Sequence, residues 1–172
     1  MPLKTAGIIC IALGILLCGK EVEERTAKRL KELEEFHRFL GFLEQEITCR
    51  QTVFSSVLEK AHPLGSGCLR TFIARLKDVP EYGHRPMNEL WDQAVRQTYG
   101  PVGLKQEELQ IMRQTGTAFL CMQRGMIGNR LRTDREQLGH LIEARRDCQQ
   151  KDSHLYRSLS IMASLLAVLI LI

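Results

Sequence analysis

Apolar residues along this chain follow two regimes. From Thr5 to Gly19 and from Ser158 to Ile172 they run without a single charged residue, and every Asp and Glu lies between those stretches. In between, the apolar positions recur three and four residues apart, the mark of amphipathic helices. Leu33, Phe36, Leu40, Leu43 and Ile47 step by 3, 4, 3 and 4, which predicts one long helix from Glu21 to about Gln51. That seam covers barely two heptads, so it suits packing inside a bundle better than an extended coiled coil. Thr52 is placed to cap a short second helix carrying Val53, Phe54, Val57 and Leu58 and ending at His62, before Pro63. A third helix, Ser66 to Lys77, presents Leu69, Phe72, Ile73 and Leu76 and stops at the turn-rich stretch 78–85. Pro86 suits the first position of a fourth helix, running to Tyr99 with Met87, Leu90, Trp91, Ala94 and Val95 on its apolar face. Gly100, Pro101 and Gly103 end it, and a fifth helix covers Gln106 to Arg113 or slightly beyond. The sixth runs from about Thr117 through Met126, Leu131, Leu138, Leu141 and Ile142, with Gly116 as the break before it. No segment alternates with period two. The expected class is all-α: a soluble bundle of about six helices flanked by one short transmembrane helix at each end.

The two uncharged ends are short for spans. Fifteen residues rise about 22 Å as a helix, against a hydrocarbon core of roughly 30 Å. Lys4 and Lys20 bracket the first stretch and can snorkel, as can Arg157 before the second, where Leu155 and Tyr156 extend the run to interface depth. A terminal LLAVLILI inside a water-facing bundle would bury the last carbonyls or expose its leucines, and a membrane removes that conflict. The first stretch lacks an A-x-A-like exit, so it reads as an uncleaved anchor. The division expected is therefore a transmembrane helix over residues 1–19, a helical bundle over 20–157 and a second transmembrane helix over 158–172. Lys20, Arg145, Arg146, Lys151 and Arg157 flank the spans and are candidate contacts to anionic lipid. Their excess over Lys4 places the bundle in the cytoplasm.

Charge and chemistry change this picture little. The formal net charge of +4 comes from 24 basic residues interleaved with 20 acidic ones, which argues against a nucleic-acid binder. Six scattered cysteines without a C-x-x-C pair read as free thiols, and His140, Cys148 and His154 have neither the spacing nor the fourth ligand of a common zinc site. Phosphate-loop, dinucleotide, acyl-transfer and zinc-peptidase signatures are absent, so neither a catalytic residue nor a cofactor is expected. The acid pairs Glu34 and Glu35, Glu44 and Glu46, and Glu107 and Glu108 point apart on a helix and read as solvated charges. Trp91 is the single tryptophan, either a core residue or a partner hot spot.

Several motifs together are familiar. Leu43-Glu44-Gln45-Glu46-Ile47 followed by Thr52, then Trp91 with Ala94, then Leu155-Tyr156-Arg157-Ser158-Leu159 before the apolar tail, resemble the stage III sporulation protein AB family across essentially the whole chain. Gly116 and Gln123 fit the family pattern at the fifth-to-sixth helix junction, whereas the final span shows Ser160 and Ala163 where the family usually has glycines. The resemblance implies a non-catalytic platform or adaptor subunit of the mother-cell to forespore channel, an apparatus similar to secretion systems. This subunit looks like the counterpart of the type II secretion inner-membrane platform subunit. The implied partners are the channel ATPase, stage III sporulation protein AA, other membrane channel subunits and a possible second copy of the chain. The implied location is the outer forespore membrane, with the bundle facing the mother-cell cytoplasm. Glu44, Glu46, Trp91 and Gln123 are the candidate partner contacts. The alternative is a membrane-anchored helical scaffold unrelated to sporulation, which the same helices would serve equally well.

Overall fold

The computed structural model describes the backbone of residues 2–50, 52–77, 86–120 and 124–171, and the side chains of residues 24–50, 52–77, 86–120 and 125–148. Six α-helices occur among them: α1 (Pro2–Thr48), α2 (Phe54–Ala61), α3 (Gly67–Lys77), α4 (Met87–Tyr99), α5 (Gln106–Gln114) and α6 (Arg124–Leu171). Short 3-10 turns occupy His62–Leu64, Gly100–Val102 and Thr115–Leu120, and the described residues contain no strand. The chain divides into two units, one of Arg29–Glu143 and one made of Met1–Lys28 with Ala144–Ile172. Among the described residues no helix is long and apolar enough to cross a membrane. The expected spans, 1–19 and 158–172, lie outside the residues whose side chains are described.

Within Arg29–Glu143 the expected seam is the core. Leu33, Phe36, Leu40, Leu43 and Ile47 are all buried, joined by Val57 and Leu58 of α2, by Leu69, Phe72, Ile73 and Leu76 of α3, and by Leu131, Leu138 and Ile142 of α6. The apolar face of α4 packs as the spacing predicts, with Leu90, Trp91, Ala94 and Val95 buried and Met87 half-buried. Each large side chain removed from water in this way contributes about 1.5–3 kcal/mol, which offsets the entropy of ordering these short helices.

Four local expectations are corrected. Thr52 does not cap α2: Val53 holds the capping position, and the Thr52 hydroxyl instead donates to Glu46 at 3.0 Å. Pro86 sits one residue earlier than expected, as the extended N-cap of α4. The sixth helix starts at Arg124, not near Thr117, because Thr115–Leu120 winds as a 3-10 turn. There the Thr115 and Thr117 hydroxyls donate to the carbonyls of Ile111 and Gln114, so side chains take up the acceptors of the preceding turn. Met126, expected on the apolar face of α6, is exposed.

Candidate functional site

Trp91 lies in the packed core. It is fully buried, its indole N–H donates to the Met112 carbonyl at 2.7 Å, and its ring lies 4.9 Å from Phe72 and 5.3 Å from Phe119. Phe36 and Phe39 of α1 complete the cluster at 6.1 and 6.3 Å. Gly116 permits it: a Cβ there would stand 2.7 Å from the indole ring. Gly116 marks the end of α5, as the sequence suggests, but it is also the floor on which the tryptophan rests.

Glu46 likewise faces inward. Its carboxylate is buried and receives Arg50 at 2.6 Å, Lys60 at 2.8 Å and Thr52 at 3.0 Å. It thereby fastens the end of α1 to the connector and to α2. The Lys60 hydrogen bond, followed by Thr52 and the Arg50 charge, outweighs burial and holds its carboxyl below the usual carboxylate range. Glu44, two residues away, is half-buried and pairs with Arg135 of α6 at 3.3 Å. Arg135 reaches it across Gly41, where a Cβ would stand 2.9 Å from the guanidinium. Gln123, Lys20, Lys151 and Arg157 lie outside the residues whose side chains are described; Arg146 is exposed and Arg145 half-buried.

The reading of the acid pairs as solvated fails for Glu46, Glu108 and Glu35, all of which are buried. Glu108 accepts the backbone N–H of Lys105 at 2.8 Å, closing the first turn of α5. Glu35 works with Glu32, three residues earlier on the same face. Ser66 donates to Glu35 at 2.5 Å, and the Cys68 backbone N–H donates to Glu32 at 3.3 Å. Two carboxylates of α1 therefore serve the N-terminus of α3, which has no acid in its own first turn. Gly67 turns the chain here with φ +50°, and a Cβ would stand 2.8 Å from Glu32. Burial, and then the Glu32 charge, pushes the nearby Tyr99 hydroxyl well above its ordinary range. A helix start lacking its own acid, with two acids three apart beside an apolar seam elsewhere in the chain, is the signal from which this arrangement could have been read.

Asp134 of α6 is a further buried acid that the spacing did not single out. It lies 3.5 Å from Arg130, yet burial outweighs that charge and raises its carboxyl above the usual range. Among the described residues no group of three or more His, Cys, Asp or Glu could hold a metal ion. Cys49 and Cys148 are exposed free thiols, and Cys68 is half-buried.

Beside Glu35 the surface opens into a groove of about 300 Å³, lined by α1 on one side and by the α2 to α3 turn on the other. It joins apolar walls to a buried charge.

Comparison with known proteins agrees with this architecture. A curated relative, stage III sporulation protein AB of Bacillus subtilis (strain 168), is 22% identical over 172 residues, covering 98% of this chain and 99% of its own length. A solved structure of a stage III sporulation protein AB superposes with a TM-score of 0.66 at 16% identity, covering 72% of this chain and 98% of that one, and so shares the fold. The profile of the stage III sporulation protein AB family matches residues 4–172, and the chain belongs to that family.

Proposed function

We propose that this protein is a non-catalytic platform subunit of the mother-cell to forespore channel. In this reading apolar segments at both ends hold it in the membrane, and its bundle couples the channel ATPase to the membrane complex. The observation that carries the reading is the family match, which runs through both apolar ends as well as the bundle. The use of the buried acids supports it: Glu32, Glu35, Glu46 and Glu108 each serve a hydrogen bond that holds one helix to another or closes a turn. A scaffold outside sporulation loses its ground with the family assignment.

The membrane part rests on the uncharged stretches Thr5 to Gly19 and Ser158 to Ile172 and on the basic residues beside them. Coupling to a motor requires an accessible bundle surface on the cytoplasmic side, for which the Glu44 and Arg135 pair is one candidate. The test labels single-cysteine variants in intact sporulating cells with a membrane-impermeant thiol reagent, comparing Cys148 with a cysteine added at the C-terminus. Labelling only at the added site, with co-purification of the ATPase by the full chain, is the expected result. Labelling of Cys148 would put the bundle on the far side of the membrane and end the coupling mechanism.

A further inference from the structure

Three of the four large apolar side chains that stand exposed among the described residues belong to one end of the Arg29–Glu143 unit, where α1 stops and α2 and α6 begin. Val53, in the connector before α2, is 65% exposed, and Leu120 and Met126 stand exposed on either side of the start of α6. Val53 and Leu120 are joined through their chain neighbours, because Phe54 and Phe119 meet with ring centroids 4.6 Å apart. Met126 comes to the same end because Gly128, two residues on, packs so closely on Thr48 of α1 that a Cβ would strike its hydroxyl. Single apolar residues are ordinary on a surface, but three gathered around a half-buried aromatic pair form a patch.

The charge at this end has one sign. Segments 47–58 and 114–133, which build it, contain four arginines and no Asp or Glu. Arg50 and Lys60 flank Val53 in the chain, and both reach back to the buried carboxylate of Glu46, at 2.6 and 2.8 Å. One acid therefore answers two cations, and the Thr52 hydroxyl occupies it as well. Each cation spends one donor on Glu46 and keeps the others at the surface, with the Arg50 side chain 62% and the Lys60 side chain 50% exposed. Glu59, the exposed acid of α2, adjoins Lys60 in sequence and so points away from it on the helix. The shared anchor on Glu46 holds the two cations at set places beside the apolar patch, which lowers the entropy lost when they take up a further acid. Donors fixed in this way suit a carboxylate carried at a set place on a folded segment, whereas a layer of lipid headgroups has no use for such placing.

We propose that this end of the unit docks an acidic amphipathic helix of a partner protein, which lays apolar side chains on Val53 and Leu120 and directs an Asp or Glu to Arg50 or Lys60. Apolar and acidic residues three or four positions apart on one helix face supply both contacts. The charge sets the choice of partner, since a basic helix of the same apolar pattern meets like charge here. The surface uses other residues than the Glu44 and Arg135 pair, and its partner is fixed by this chemistry and not by its being the motor, so the proposal goes beyond the coupling reading.

The test places photoreactive benzoylphenylalanine at Val53 in the full chain in sporulating cells, with the same residue at exposed Glu107 as the control, and sequences the crosslinked peptides. The expected adduct at Val53 is a segment of another protein with an Asp or Glu within one helical turn of the attachment point. Arg50→Gln, which leaves Lys60 and Thr52 on Glu46, lowers its yield about fivefold, as loss of one partly exposed ion pair dictates. Leu120→Ser lowers it too, at a side chain that the fold leaves exposed. Replacing the partner's acid with Lys lowers the yield without altering this chain, so the charge half stays testable even where Arg50→Gln loses its fold by circular dichroism. An adduct to lipid or to a second copy of this chain, no adduct above the Glu107 control, a segment without an acid, or a yield indifferent to the partner's acid or to Leu120→Ser would each overturn the proposal. ATPase co-purification run in parallel separates the two readings. A specific adduct without the ATPase leaves this surface standing and removes motor coupling, whereas the ATPase retained without an adduct removes the surface alone.

Discussion

Helix α1 borders two regions of opposite character. Phe36 and Phe39 meet Phe72, Trp91 and Tyr99 in a closed aromatic cluster, where each ring has neighbours and the indole N–H has its acceptor. Around the helix, Phe39 and Phe42 line a groove whose far edge is an exposed leucine and whose buried acid is half satisfied. Phe39 belongs to both. The contrast is one of packing: in the closed region the rings cover one another and the indole N–H has its acceptor, while the Tyr99 hydroxyl, like one Glu35 oxygen, has no hydrogen-bond partner among the described residues, and in the groove apolar side chains are left open at the surface. Changes in the first should therefore cost stability, and changes at the open edge of the second should cost little of it.

The largest expected effect breaks the closed side. Trp91→Ala leaves a cavity among four phenylalanine rings and strands the Met112 carbonyl, so unfolding of the purified chain by denaturant should show a loss of about 3–5 kcal/mol. A loss under about 1 kcal/mol would mean that the cluster collapses freely and is not the tightly packed centre described here. Next in size is Gly116→Ala. Its Cβ would stand 2.7 Å from the indole ring, and pushing that ring off its floor should cost about 1–3 kcal/mol. Because Gly116 lies in a 3-10 turn, a mere gain in helix propensity would instead raise the melting temperature, and the sign of the shift decides between the two.

Smaller and more informative is the pH dependence of two buried acids. Glu46 is held below the usual carboxylate range, so its contribution is complete above the unfolded carboxylate value and fades as pH falls through the folded one. Glu46→Gln should thus melt below the wild type at neutral pH, with the gap closing on acidification. Asp134 has the opposite sign. Its folded carboxyl is raised, so its proton is bound more tightly in the folded chain, and stability from this group grows as pH falls through that raised value. Asp134→Asn should melt at or above the wild type at neutral pH and lose that advantage in acid. Parallel pH profiles for the two variants would show that both acids answer to a global change and not to their own surroundings.

Much of the closed region was legible in the sequence, since burial of a helix face imposes a 3.6-residue period that Leu33 to Ile47 and Leu90 to Val95 display. The groove was not. Glu34 and Glu35 look alike as neighbours on a charged helix, and only the position of Ser66 and Gly67, brought in from 31 residues away, distinguishes the buried one. The same limit hid the part played by Thr52: as a cap it would serve the helix that follows, but the hydroxyl answers instead to Glu46 in the helix before. Local pattern reports which face is buried. It does not report which polar group is drawn in with that face, because that depends on partners supplied by another element.

The smallest expected effect on stability falls at Leu64, and it sharpens the comparison most. The side chain is 73% exposed, so Leu64→Ser removes little buried area and should leave the unfolding free energy within about 0.5 kcal/mol of the wild type. Cells carrying it should keep normal protein levels and sporulate fully, since this leucine is one of the scattered apolar residues that any protein surface carries. Phe39→Ala provides the counterpart, because it should lose both stability and sporulation through its place in the closed cluster. Poor sporulation with Leu64→Ser at unchanged protein level would mean that something in the cell covers the groove, and that the difference between the two regions is not one of packing alone.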